Sequence, residues 1–189
     1  HDPYQSIEKK FNLTTKILSY ISTTSFPIHI LTKSPEIIDD LPIIKKINKP
    51  RVTFTILSLQ KSFFHLIEPN APPPTKRLEA MKTLRDNKIT SGIAIIPFFP
   101  KLSQQHIEDL VNIAKKYDAS YLLYKPLFLQ GNQKQVFLNQ IKKPFPQIHN
   151  LYDKWFENNT LPPKKEISKM SKQIESLCKK HHLPTTIPI

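Results

Sequence analysis

Residues 92–99, GIAIIPFF, limit the folds open to this chain more than any other stretch. They are apolar without the polar alternation of a half-exposed strand, which predicts a parallel strand covered on both faces. Pro97 has no N–H to give to a ladder and is expected to end the pairing. Upstream, a turn rich in proline (Pro69, Pro72, Pro73, Pro74) runs into TKRLEAMKTLRDNK. There Leu78, Met81 and Leu84 recur at helical spacing, while Lys76, Glu79, Lys82 and Arg85 fall elsewhere on the helix. Pro74 suits a first helical turn, where a missing N–H costs nothing. The unit is loop, helix, buried strand.

The same unit recurs along the chain. IHILTK, residues 28–33, reads as a short strand, and residues 39–48 as a helix with Leu41, Ile44 and Ile47 inward. RVTFTILS, residues 51–58, is a second strand. Residues 103–117 predict a helix capped by Ser103 that turns Ile107, Leu110, Val111 and Ala114 inward. ASYLLYKP, residues 119–126, closes the series. Near the start, Thr14 or Thr15 precedes a helix with Ile17, Leu18 and Ile21 that ends before Pro27. Beyond Gly131 the pattern is helical only, over 133–142, 147–158 and 166–181. The expectation is an α/β chain: residues 1–130 form part of a TIM-type (βα) barrel with parallel strands, and residues 131–189 a helical extension packed on it.

The alternation in RVTFTILS assigns faces. In a barrel the outward face meets helices, which directs Val52, Phe54 and Ile56 outward and Thr53, Thr55 and Leu57 inward. A polar interior toward the carboxyl end of a strand is expected where a ligand sits, although threonine is also a good strand former. Lys33 ends its strand on the same rim.

Composition narrows the function classes. No apolar run approaches the roughly 20 residues that span a bilayer, and no charged-then-apolar leader opens the sequence, so no membrane partner and a cytoplasmic location are expected. Cys178 is the single cysteine; it excludes an intrachain disulfide framework and any zinc site or cluster built from several cysteines of this chain. The formal charge of +13 invites a nucleic-acid partner. Of the 28 basic residues, however, only Arg51, Arg77 and Arg85 are arginine, and scattered lysine is a poor match for bidentate reading of bases and phosphates. Two glycines against 18 prolines remove every glycine-rich phosphate loop.

Five segments in order, DPYQ-IEKK at residues 2–10, IHILTKS at 28–34, VTFTILS at 52–58, EPNAP with the following RLEA at 68–80, and AIIPFFP at 94–100, together resemble the radical S-adenosylmethionine proteins related to spore photoproduct lyase. FLNQIKKPFPQIHNLYDKW, residues 137–155, is similar to the helical tail of that group. The resemblance implies a partial barrel of six βα units, of which these strands would be the third to sixth. The family's CxxxCxxC loop, which holds a 4Fe-4S cluster, has no counterpart here. The resemblance therefore implies a carboxyl-terminal fragment, one product of a split gene, or a decayed homologue, with the missing N-terminal part and a reductant such as ferredoxin or flavodoxin as partners.

In the family, one electron from the cluster cleaves S-adenosylmethionine to a 5′-deoxyadenosyl radical that abstracts hydrogen from substrate. Carried over, Asp2, Lys33, Thr55, Arg77 and the main chain at Ile96 would bind S-adenosylmethionine, and Tyr124 and Lys125 would face the substrate. Bland rivals stand beside these roles: a turn at Asp2, and a surface pair of Arg77 with Glu68 or Glu79. The fold transmits no particular substrate. The competing class is a non-enzymatic basic module that binds nucleic acid or a protein partner, or an inactive homologue.

Overall fold

A computed structural model describes residues 2–188, the side chain of Gln105 excepted. Four strands, β1 (His29–Thr32), β2 (Arg51–Thr55), β3 (Thr90–Phe98) and β4 (Leu122–Pro126), form one sheet in the order β1-β2-β3-β4, every neighbouring pair parallel. Before β1 lie α1 (Glu8–Phe11) and α2 (Leu13–Ile21). The β1-to-β2 connection is a 3-10 turn, Pro35–Asp40, followed by the single-turn helix α3 (Leu41–Ile44). Two helices, α4 (Lys61–Ile67) and α5 (Pro74–Asp86), join β2 to β3, and α6 (Ile107–Lys116) joins β3 to β4. After the sheet come α7 (Asn132–Lys142), α8 (Pro146–Phe156) and α9 (Lys164–Lys180). The chain is thus α/β, with a four-stranded parallel sheet.

Alternation along the strands divides the structure. Val52, Phe54, Ile93, Ile95 and Leu122 share the main core with Leu78, Met81 and Leu84 of α5, Leu110 and Val111 of α6, and Met170 and Ile174 of α9. The expected outward face of β2 is this one. On the opposite face the register aligns Leu31 with Thr53 and Thr53 with Gly92, then Thr55 with Ala94 and Ala94 with Leu123. A second core lies at the carboxyl ends of the strands, where Leu57, Phe99, Leu127 and Leu129 meet Phe137 and Ile141 of α7 and Tyr152 and Phe156 of α8. Its rings stack in series, Phe99 on Phe137 at 5.6 Å and Phe137 on Tyr152 at 6.0 Å between centroids. The Tyr152 hydroxyl donates to Pro100 O at 2.6 Å, fixing α8 to the end of β3.

Several local expectations are corrected. Pairing does not stop at Pro97: Ile95 pairs with Tyr124 and Phe98 with Pro126. Ile96 and Pro97 therefore oppose Lys125 alone, a bulge that steps the ladder past the residue without an N–H. Residues 39–48 do not form one helix; Pro35 and Pro42 favour tight first turns, and the segment is split between the 3-10 turn and α3. Ser103 does not cap α6. Its hydroxyl instead closes a turn on Phe99, and a 3-10 turn precedes the helix. The hydroxyls of Thr14 and Thr15 go to Pro3 O and Asp40, while Asn12, with φ of 51°, starts α2. Ile17 of that helix is exposed. The helix α4, KSFFHLI, has an apolar run too short to declare a period in the sequence.

Candidate functional site

β1 and β2 end side by side, and the chain beyond each carries the polar groups of the site. Lys33 follows Thr32 directly, in step with Leu31, and so continues the sheet face that lies away from α5. Its backbone is held from the start of the chain. Asp2 accepts from Lys33 N at 2.6 Å with one carboxylate oxygen, and from the Thr32 hydroxyl at 2.7 Å and Tyr4 N at 3.0 Å with the other. The Tyr4 hydroxyl donates to the buried Asp40 at 2.9 Å. Burial, aided by that carboxylate, pushes the Tyr4 phenol well above the usual tyrosine range. Both oxygens of Asp2 are thus engaged in fastening residues 2–4 to the end of β1.

The head of Lys33 is held from the other side. Its Nζ lies 2.8 Å from Glu68 Oε1, and Glu68 Oε2 lies 2.9 Å from Arg77 Nη1. Glu68 ends α4, its N–H donating to Phe64 O at 2.8 Å. The proline loop after it wraps Arg77: Nε donates to Pro72 O at 2.8 Å, and Nη1 donates also to Thr55 O at 2.7 Å. The guanidinium stands 5.5 Å from the centre of the Phe64 ring. Arg77 is 0% exposed and the Glu68 side chain 3%, whereas that of Lys33 is 42% exposed. The pair is therefore an interior one, neither the surface contact weighed above nor a guanidinium open to an incoming carboxylate.

Lys33 stands between two clefts. One, of about 390 Å³, is lined by Asp2, Tyr4, Ser34 and Asn70 among others. The second, of about 520 Å³, is largely apolar and runs from Lys33 and Glu68 past Pro97, Phe99 and Phe128 toward α7. Strand alternation puts Thr55 and Lys125 on the sheet face opposite the main core, with Ile96 in the bulge and Lys33 one residue past β1; of the four only Lys33 lines the two clefts. Tyr124 lies on the other side. Its ring tilts against Phe98, and its hydroxyl donates to Glu175 of α9 at 2.5 Å. Burial and that carboxylate push its pKa up to about 12. Tyr121 is fully buried, bonded to Thr53 and to Val52 O, so the aromatics near β4 do not form one exposed stacking surface.

Thr53, expected to face a ligand, closes a hydrogen-bonded chain across the sheet: its hydroxyl lies 2.7 Å from both His29 Nε2 and the Tyr121 hydroxyl. Partial desolvation of the ring, and secondarily Arg51, lowers the His29 pKa. Glu68, weighed above only as a surface partner of Arg77, proves to be the buried carboxylate that joins Arg77 to Lys33. The signal was its place after an apolar helix and before a run of prolines, nine residues ahead of an arginine.

The fit to the groups implied by the family divides. Among the described residues no three His, Cys, Asp or Glu side chains converge where a metal could be held. Cys178 is buried in the main core, and burial pushes its thiol up to about 11. The residues of this chain do not fit a 4Fe-4S cluster. At the carboxyl ends of β1 and β2, Lys33 is exposed to both clefts and could meet an anionic group, whereas Thr55 is only 4% exposed and lines neither cleft. Among the described residues no helix is long and apolar enough to cross a membrane.

No protein-family model matches the chain. Among curated proteins it is 30% identical over 150 residues to an uncharacterized protein of Methanocaldococcus jannaschii, covering 79% of this chain and 56% of that one. An uncharacterized protein of Mycobacterium tuberculosis is 22% identical over 187 residues, covering 96% of this chain and 55% of its own. The chain thus spans about half the length of these curated relatives. Among solved structures, spore photoproduct lyase complexed with dinucleoside spore photoproduct matches with a TM-score of 0.70 at 15% identity, over 93% of this chain and 54% of that one. A double mutant of spore photoproduct lyase with bound AdoMet and dinucleoside spore photoproduct matches at 0.71 and 16%, with the same coverage. At these identities the likeness is one of fold, over 93% of this chain and 54% of the enzyme.

Proposed function

We propose that this chain forms the carboxyl-terminal part of a radical S-adenosylmethionine enzyme, a partial barrel whose strand ends provide one wall of the cofactor pocket. The observation that carries the reading is the coincidence of two independent lines. The fold matches a protein solved with AdoMet bound, and Lys33 and Thr55, named from the family's motifs, stand at the carboxyl ends of two neighbouring parallel strands, Lys33 one residue past β1 and Thr55 at the end of β2. Ligands in parallel α/β sheets gather at that end.

Lys33 offers an ammonium to the methionyl carboxylate, Thr55 a hydroxyl to the ribose, and the main chain at Ile96, freed from regular pairing by the bulge, an edge to the adenine. Asp2 acts through Lys33 by holding its backbone N–H, and Arg77 acts through Glu68. When bound next to a reduced 4Fe-4S cluster, the cofactor supplies a carbon radical that abstracts hydrogen. The cluster's thiolates come from outside these 189 residues, because the chain has one cysteine and that one is buried. Lys125 faces the substrate side; the substrate itself is not fixed by the fold.

The test joins the chain to the cysteine-bearing segment that the reading requires. After anaerobic reconstitution, S-adenosylmethionine and dithionite should release 5′-deoxyadenosine well above a control without the cluster. A reconstituted cluster with no release above that control contradicts the proposal.

A further inference from the structure

The Lys33 ammonium is not a freely rotating surface charge. It lies 2.8 Å from Glu68 Oε1, an oxygen of a carboxylate that is nearly out of solvent. That carboxylate is fixed in turn by a guanidinium fully out of solvent, which is itself held by Thr55 O and Pro72 O. Two cations share one carboxylate, so the cluster keeps one positive charge in excess, and Lys33, its exposed member, carries that charge to the border of the two clefts. An isolated lysine would lose rotamer freedom on meeting an anion. A lysine already ion-paired with a nearly buried carboxylate has lost part of it beforehand, which is how preorganisation raises affinity.

We propose that Glu68, locked by Arg77, is a positioning residue: it sets the Lys33 ammonium at the mouth of the site and thereby governs affinity for the carboxylate of the ligand bound there. Glu68 does not touch the ligand. It acts through Lys33 alone, and its contribution vanishes when Lys33 is removed. The inference rests on the function proposed above and adds to it a dependence on a residue to which the sequence reading gave no part in binding.

A double-mutant cycle tests it, with S-adenosylmethionine as the probe and the chain joined to its cluster-bearing segment. Binding is measured by calorimetry for the unsubstituted protein, Glu68→Gln, Lys33→Ala and the double variant. Glu68→Gln should weaken binding about tenfold when Lys33 is present and less than about twofold in the Lys33→Ala background. Lys33→Arg, which keeps charge and reach, should bind within about threefold of the unsubstituted protein. An equal loss from Glu68→Gln in both backgrounds marks a merely structural role and overturns the inference, as does no loss in either. Should Glu68→Gln not fold, Glu68→Asp, which keeps the charge and withdraws it from Lys33 by one methylene, replaces it in the same cycle with the same expected pattern. Absence of binding by the unsubstituted protein overturns the reading beneath together with this inference; binding without the predicted coupling overturns the inference only.

Discussion

Glu68 Oε2 lies 2.9 Å from Arg77 Nη1 in the protein interior, where neither side chain has water to fall back on. A buried pair of this kind contributes little net stability when it forms, because desolvation offsets attraction, but losing one partner strands the other's charge. Arg77→Met should therefore destabilise the chain by about 3–5 kcal/mol in urea unfolding, whereas Glu68→Leu combined with Arg77→Met should fall well short of the sum of the two single effects. Additive losses would show that the two side chains do not depend on each other.

Gly92 sits where β3 passes β4. A Cβ there would stand 2.4 Å from Tyr121 O and 2.7 Å from two carbons of the Tyr121 ring. That carbonyl accepts from Ile93 N at 3.1 Å, so it cannot retreat without loosening the ladder. Gly92→Ala is expected to cost about 3 kcal/mol, the upper range for overpacking. Thermal unfolding checks it, and a melting temperature equal to that of the unsubstituted chain would contradict the packing described here.

Cys178 faces the main core from α9. Burial, with a smaller contribution from Glu175, pushes its pKa from 9.0 to about 11. The thiolate is the reactive species, and at pH 8 its fraction falls about 100-fold for a shift of that size. Iodoacetamide should therefore alkylate the native chain at least about 100-fold more slowly than the urea-unfolded chain. Raising the pH toward 11 should narrow the gap by restoring thiolate. Native alkylation at the unfolded rate would place the thiol at the surface.

What sequence made legible was what periodicity controls. The uninterrupted run 92–99 announced a buried parallel strand, and the strict alternation of Val52, Phe54 and Ile56 against Thr53 and Thr55 assigned the two faces of β2 correctly. The spacing of Leu78, Met81 and Leu84 located α5. Interactions set by tertiary approach were not legible. Arg77 is charged and lies in the first turn of an amphipathic helix, a position that ordinarily faces water, so periodicity alone did not show that the proline loop would close over it. Tyr124 is one residue from Lys125, and that single step places it on the helix side of the sheet, against Glu175, a residue 51 positions away in the chain. Pro97 showed that the ladder must adjust, but whether by stopping or by bulging depends on β4, which only the fold brings alongside.

The central claim, that the strand ends around Lys33 form a wall of an S-adenosylmethionine pocket, is tested most directly by comparing two lysine variants of the chain joined to its cluster-bearing segment. Lys172 lies exposed on α9 and serves as the control. By calorimetry with S-adenosylmethionine, Lys33→Ala should weaken binding about tenfold, a loss of about 1.4 kcal/mol, while Lys172→Ala leaves it unchanged. Equal affinities for the two variants would remove Lys33 from the pocket and contradict the account.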